Sequence, residues 1–177
     1  MRVTIELRHL LLATLILLVP QFVAGSENDR EVADDEFPEL GEIRKIIDAT
    51  DPPDGVVFLV MDYDVEAYYW VLPRLERYVK MVREKWTDAP LAVISHGDEI
   101  ISLLARNEEK YAPFHRRIRQ LVENYRVDFQ VCGAYAALSG VDESEFAGFV
   151  DVVPSAPSQI TDYRQMDYRI ISLEPVW

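Results

Sequence analysis

Three short runs, each bounded by turn residues, most constrain what this chain can fold into, the first two with no polar residue interrupting them and the third with Asp128 and Gln130 among its apolar residues. They are Val56-Val57-Phe58-Leu59-Val60-Met61 after Asp51-Pro52-Pro53-Asp54-Gly55, Leu91 to Ser95 before His96-Gly97, and Val127 to Cys132 before Gly133. A short run without polar alternation is the pattern of a strand buried on both faces, as in parallel sheets. Between the runs the period changes to that of helices. Leu75, Tyr78, Val79, Val82 and Trp86 form one apolar stripe, and Phe114, Ile118, Leu121, Val122 and Tyr125 form another.

Asp64 is placed to cap the first of these helices, with Pro73 kinking it or marking a restart, and Asp98 to cap a short helix through Ile100, Ile101, Leu103 and Leu104. A small-residue helix is expected from Gly133 to Gly140, a fourth strand over Phe149 to Val153, a helix opened by Pro154-Ser155 toward Met166, and a last strand over Tyr168 to Ser172. Strands alternating with helices predict an α/β, three-layer domain. Its five-stranded sheet is mainly parallel and is covered on both faces through right-handed crossovers.

The first 50 residues read differently. Arg2 and Arg8 precede the apolar run Leu10 to Val19, followed by Pro20 and the small residues Ala24, Gly25 and Ser26, the order of a secretory signal peptide. The run is about half of the roughly 20 residues that span a bilayer; an uncleaved N-terminal anchor is the alternative. Residues 1–25 are therefore expected to be a leader for the periplasm or secretion, with no membrane span after cleavage. Residues 26–50 are expected to be an acidic tether and a short amphipathic helix, and residues 51–177 the domain.

The 177 residues carry 18 Lys plus Arg against 31 Asp plus Glu, a formal charge of −13, which repels nucleic-acid phosphates. One cysteine excludes an internal disulfide and any multi-cysteine metal site, and no metal or cofactor is expected. After the first strand, Met61-Asp62-Tyr63-Asp64 puts carboxylates where a phosphate loop needs glycines. There is likewise no Gly-x-Ser-x-Gly elbow.

In open α/β sheets chemistry gathers at the carboxyl ends of the strands. Read there, the sequence offers Asp62 and Asp64, His96 with Gly97, Cys132 with Gly133, and Ser155. A thiol leaving a strand ahead of a helix meets free backbone N–H groups that favour the thiolate; the alternative is a cysteine packed as a small hydrophobe. His96 is a candidate proton carrier or simply a turn cap. The run His115, Arg116, Arg117, Arg119 reads as a solvated helix face, and Tyr68-Tyr69-Trp70 as too thick for one buried stripe, with an exposed part suited to an oligomer interface.

From Val56 to Leu173 the chain resembles the DsrE/DsrF-like family of the YchN-like fold. The resemblance rests on Val56 to Val60, on Leu91-Ala-Val-Ile-Ser-His96-Gly97-Asp-Glu-Ile-Ile-Ser-Leu-Leu104, on Val127-Asp-Phe-Gln-Val-Cys132-Gly133, and on Val152-Val-Pro-Ser155 with Tyr168 to Ile171. It implies a flavodoxin-like subunit assembling into homotrimers or homohexamers. In the family's sulfur-relay branches the thiol matching Cys132 carries a persulfide sulfur between a donor and an acceptor protein. On this reading Cys132 and His96 are the catalytic candidates, and Gly97, Gly133, Asp62 and Ser155 line the ligand edge. The second hypothesis is a non-catalytic oligomeric module of the same fold that binds a small ligand or a protein, with Cys132 as packing.

Overall fold

The computed structural model describes residues 37–174, so the expected leader and acidic tether lie outside the described residues. A first helix, α1 (Pro38–Ile47), leads to β1 (Val56–Val60) and the long helix α2 (Tyr68–Lys85). After β2 (Leu91–Ser95), two short 3-10 turns, Asp98–Leu103 and Ala105–Asn107, lead into α3 (Ala112–Tyr125) and β3 (Val127–Cys132). The chain ends with α4 (Gly133–Leu138), a 3-10 turn Glu143–Glu145, β4 (Asp151–Val153), α5 (Ala156–Gln165) and β5 (Arg169–Leu173).

All five strands are parallel, in the order β4-β3-β2-β1-β5. Because side chains alternate across a strand, each run feeds two cores. Val56, Phe58 and Val60 join Val93, Phe129 and the apolar stripes of α1, α2 and α3 in the larger one. Val57, Ala92, Ile94 and Cys132 meet Ala156, Ile160 and Tyr163 of α5 in the smaller. The sheet therefore has helices on both faces. It is a flavodoxin-like α/β fold.

α1 is part of this body. Arg74 Nη1 donates to Glu39 Oε1 at 2.7 Å with both side chains buried, and Arg74 Nη2 donates to the carbonyl of Glu174 at 2.9 Å. The guanidinium also lies over the rings of Trp70 and Phe37, 4.7 and 4.8 Å from their centres. Among the described residues no helix is long and apolar enough to cross a membrane.

Several local expectations are corrected. α2 starts at Tyr68, not behind Asp64, because Asp64 Oδ1 accepts the Glu66 N–H at 2.8 Å and its carbonyl accepts that of Ala67, so turns precede the helix. Pro73 sits inside α2 with its ring exposed, and the helix continues through it. Asp98 caps nothing, and the segment behind it winds as 3-10. α4 stops at Leu138, just before Gly140, whose φ of 72° no helix continues. β4 begins at Asp151, because the Val150 N–H turns back to the Ala147 carbonyl.

His115 does not share the solvated face of its arginine neighbours. It is buried, with Nε2 2.9 Å from the Ser102 carbonyl oxygen. Its position next to Phe114 and one turn before Ile118 puts it at the border of the apolar stripe. In the aromatic run Tyr68 is fully buried and Tyr69 exposed, while Trp70 is half-buried against Arg74.

Candidate functional site

Cys132 is the last residue of β3, paired in register with Val153, and is 4 % exposed. Its Sγ accepts two backbone N–H groups, each at 3.4 Å, from Tyr135 in α4 and from Ala156 at the first turn of α5. Two backbone N–H groups thus converge on one sulfur. One donor is local and was foreseeable. The other comes from 24 residues further on and depends on how β4 delivers α5 to the sheet.

His96 follows Ser95, which pairs with Val131, so it stands level with Cys132 on the neighbouring strand. Continuing the alternation of Ala92 and Ile94, it falls on the same face as Cys132. Its backbone N–H donates to the Val60 carbonyl at 3.1 Å. Burial lowers the imidazole pKa and so favours the neutral ring, able to accept a proton. The hydrogen bonds to the Cys132 sulfur come from Tyr135 and Ala156 alone among the described residues, and His96 makes none to it.

Gly97 serves the approach of two loops. A Cβ there would lie 2.2 Å from the Asp62 carbonyl oxygen and 2.6 Å from the Asp62 nitrogen. The contact is locked by Glu99, a residue that periodicity did not single out. Its carboxylate accepts Ser95 Oγ–H at 2.6 Å, the Gly97 N–H at 2.9 Å and the Asp62 N–H at 2.9 Å. Tyr68 completes the chain, its hydroxyl 2.7 Å from Ser95 Oγ. Burial raises the pKa of Glu99, against the hydrogen bonds that lower it, and raises that of Tyr68. The only signal in the sequence was an acidic pair behind a turn glycine, and nothing in it said which acid goes inside.

Asp62 is buried. Its Oδ1 accepts the Asp64 N–H at 2.9 Å, and Oδ2 has no partner. Gly133 lets α4 pass close to β4, where a Cβ would meet Glu143 Oε1, Val152 Cγ1 and the Val153 oxygen, each at 3.1 Å. Ser155 is half-buried ahead of α5 and makes no side-chain cap; its neighbour Ala156 supplies the N–H to the sulfur. Tyr135, also missed, bonds Cys132 through its backbone and Asp98 Oδ1 through its hydroxyl at 2.7 Å, a bond that pushes its pKa up to about 12.

Asp62, His96, Gly97, Cys132, Gly133 and Ser155 thus share the carboxyl edge of the sheet. What the arrangement offers chemically is a sulfur held by two backbone N–H groups, with a histidine favoured in its neutral form level with it on the neighbouring strand. A cleft of about 690 Å³ lined by Ile46, Pro52, Tyr168 and Ile170 lies at the opposite, amino-terminal end of β1 and β5, away from these groups.

No curated protein matches the chain. Its fold is similar to that of a protein of unknown function from Methanobacterium thermoautotrophicum, with TM-score 0.53 and 18 % identity over 67 % of this chain and 97 % of that one. A conserved protein of unknown function from Bacteroides thetaiotaomicron aligns with TM-score 0.49 and 13 % identity, over 68 % of this chain and 95 % of that one. The model of the DsrE/DsrF-like family matches residues 75–173, which take in His96, Cys132 and Ser155. On that match, over more than half of its length, the chain belongs to the DsrE/DsrF-like family.

Proposed function

We propose that this protein is an exported sulfur carrier in which Cys132 holds one sulfane sulfur as a persulfide. The observation that carries the reading is the pair of N–H groups, from α4 and α5, directed at Cys132 Sγ. As a thiolate, Cys132 attacks the outer sulfur of a persulfide or polysulfide donor. A new S–S bond forms at Cys132 and the donor's own S–S bond breaks. The donor leaves as a thiolate, which takes up a proton. No net oxidation occurs, because a neutral sulfur atom changes hands. His96, level with Cys132 on the neighbouring strand and favoured as the neutral ring, holds a proton during the exchange on this reading.

Burial of Cys132 at 4 % exposure fits a carrier whose cargo, about 2 Å further out along the S–S bond, is the part that partners reach. The same burial, against Ile94 and Ile160, favours the second reading, a non-catalytic oligomeric binding module. Intact-mass measurement after exposure to polysulfide separates the two. The carrier gains one sulfur mass that Cys132→Ser does not, whereas the module gains none.

Export and assembly belong to the same proposal. The order of charges, apolar run and small residues up to Gly25 supports cleavage near Gly25 and delivery to the periplasm or beyond. N-terminal sequencing from a cell-envelope fraction is then expected to start between Gly25 and Glu27. Family membership and the exposed ring of Tyr69 support a homotrimer or homohexamer. Light scattering that reports a monomer overturns that part.

A further inference from the structure

The edge that carries Cys132 has a composition of its own. Met61, Tyr63 and Leu138, exposed by 49, 76 and 88 %, are three of the five large apolar side chains left open among the described residues; the first two follow β1 on this edge, and Leu138 ends α4, the helix that starts there. Tyr63 is close enough to Tyr135 to influence its hydroxyl, and Tyr135 and Leu138 are one turn apart on α4. The three segments that follow β1, β2 and β3, residues 61–67, 96–98 and 133–150, hold seven Asp or Glu and no Lys or Arg of their own, with Asp62 buried and Glu145 paired to Arg106 from outside them. Asp64 and Glu143 are exposed there, Glu143 reaching to the Gly133 backbone next to Cys132.

We infer that this edge is a docking surface for a cationic protein segment with apolar side chains, seated over Met61, Tyr63 and Leu138. Charge decides the occupant. An apolar centre inside an acidic rim selects a partner with Lys or Arg around an apolar side chain. A second copy is disfavoured, since the chain's net charge is −13 and five of its arginines already serve acids of their own chain, among them Arg106 with Glu145, Arg117 with Glu76 and Arg126 with Asp88. That the docked segment belongs to the sulfur donor or acceptor rests on the reading of Cys132; the docking itself does not.

The test is fluorescence anisotropy of the protein with a labelled peptide of lysines around leucine and phenylalanine, beside a peptide of equal charge without apolar residues. Binding of the first is expected to be about tenfold tighter than of the second, and to weaken about tenfold in Tyr63→Ser/Leu138→Ser. Asp64→Asn/Glu143→Gln is expected to weaken it about fivefold and to flatten its salt dependence. Glu84→Gln/Glu123→Gln, which removes equal charge at exposed positions on α2 and α3, is expected to leave it unchanged. Equal binding of both peptides, or equal losses in the two charge variants, shows general attraction to an acidic protein and overturns the inference. So does a Tyr63→Ser/Leu138→Ser variant that binds peptide normally while losing subunits in light scattering, which makes a second copy the occupant. Cys132→Ser is expected to bind peptide as the parent does. If the parent binds peptide but takes up no sulfur, the docking stands and the carrier reading fails.

Discussion

The backbone N–H of Ala156 points at Cys132 Sγ from 3.4 Å, joining the end of β3 to the start of α5 across 24 residues. The sulfur is thus both an acceptor and a packing atom, between Ile94, Ala156 and Ile160. Cys132→Ala leaves that N–H and the one from Tyr135 without a partner and opens a small void. We expect a loss of about 1–3 kcal/mol in urea unfolding, and a smaller loss in Cys132→Ser, whose hydroxyl still accepts.

Glu99 and His96 give the fold opposing responses to pH. The native carboxyl of Glu99 has a raised pKa, so as pH climbs from the ordinary carboxylate range to that raised value, the unfolded chain releases its proton first and stability falls. The native imidazole of His96 has a lowered pKa, so as pH drops below about 6.5 the unfolded chain gains its proton first and stability again falls. Between about pH 4.5 and 6.5 the two contributions oppose each other. Relative to the parent, Glu99→Gln is expected to steepen the rise of stability with pH there, and His96→Gln to turn it toward a fall. Urea midpoints across that range decide it; parallel curves for parent and variants refute the assignment.

Three glycines rank themselves by what a methyl group would meet. At Gly97 it would strike the Asp62 backbone at 2.2 and 2.6 Å, so Gly97→Ala must part the loops after β1 and β2 and is expected to cost about 2–4 kcal/mol. At Gly133 the nearest atoms are 3.1 Å away, and a loss of about 1 kcal/mol is expected. At Gly41, inside α1, nothing lies within 4 Å, and Gly41→Ala is expected to stabilise by about 0.5–1 kcal/mol. Chemical denaturation of the three variants checks both the order and the change of sign.

The Arg74–Glu39 pair is buried, so removing one partner strands a charge. Arg74→Leu is expected to cost about 3–5 kcal/mol, and Arg74→Met/Glu39→Leu clearly less, because the second change removes the stranded carboxylate. A double variant as unstable as the single one refutes this and shifts the importance of Arg74 to its stacking on Trp70 and Phe37.

Local pattern was sufficient for the strands and most helices. The runs at Val56 and Leu91 are strands because a continuous apolar segment between turns is buried on both faces, the run at Val127 is a strand that leaves Asp128 exposed, and the stripes of α2 and α3 face the core because their apolar residues recur at helical spacing. Parallel pairing and the gathering of Asp62, His96, Cys132 and Ser155 at one edge followed from alternation alone. What the neighbours of each group are was decided by tertiary structure. Burial is a property of the assembled layers, so nothing local distinguished Glu99 from Asp98, or His115 from Arg116. The second N–H at Cys132 exists only because β4 pairs with β3 and delivers α5 back across the sheet, a contact between residues too far apart in the chain for periodicity to report.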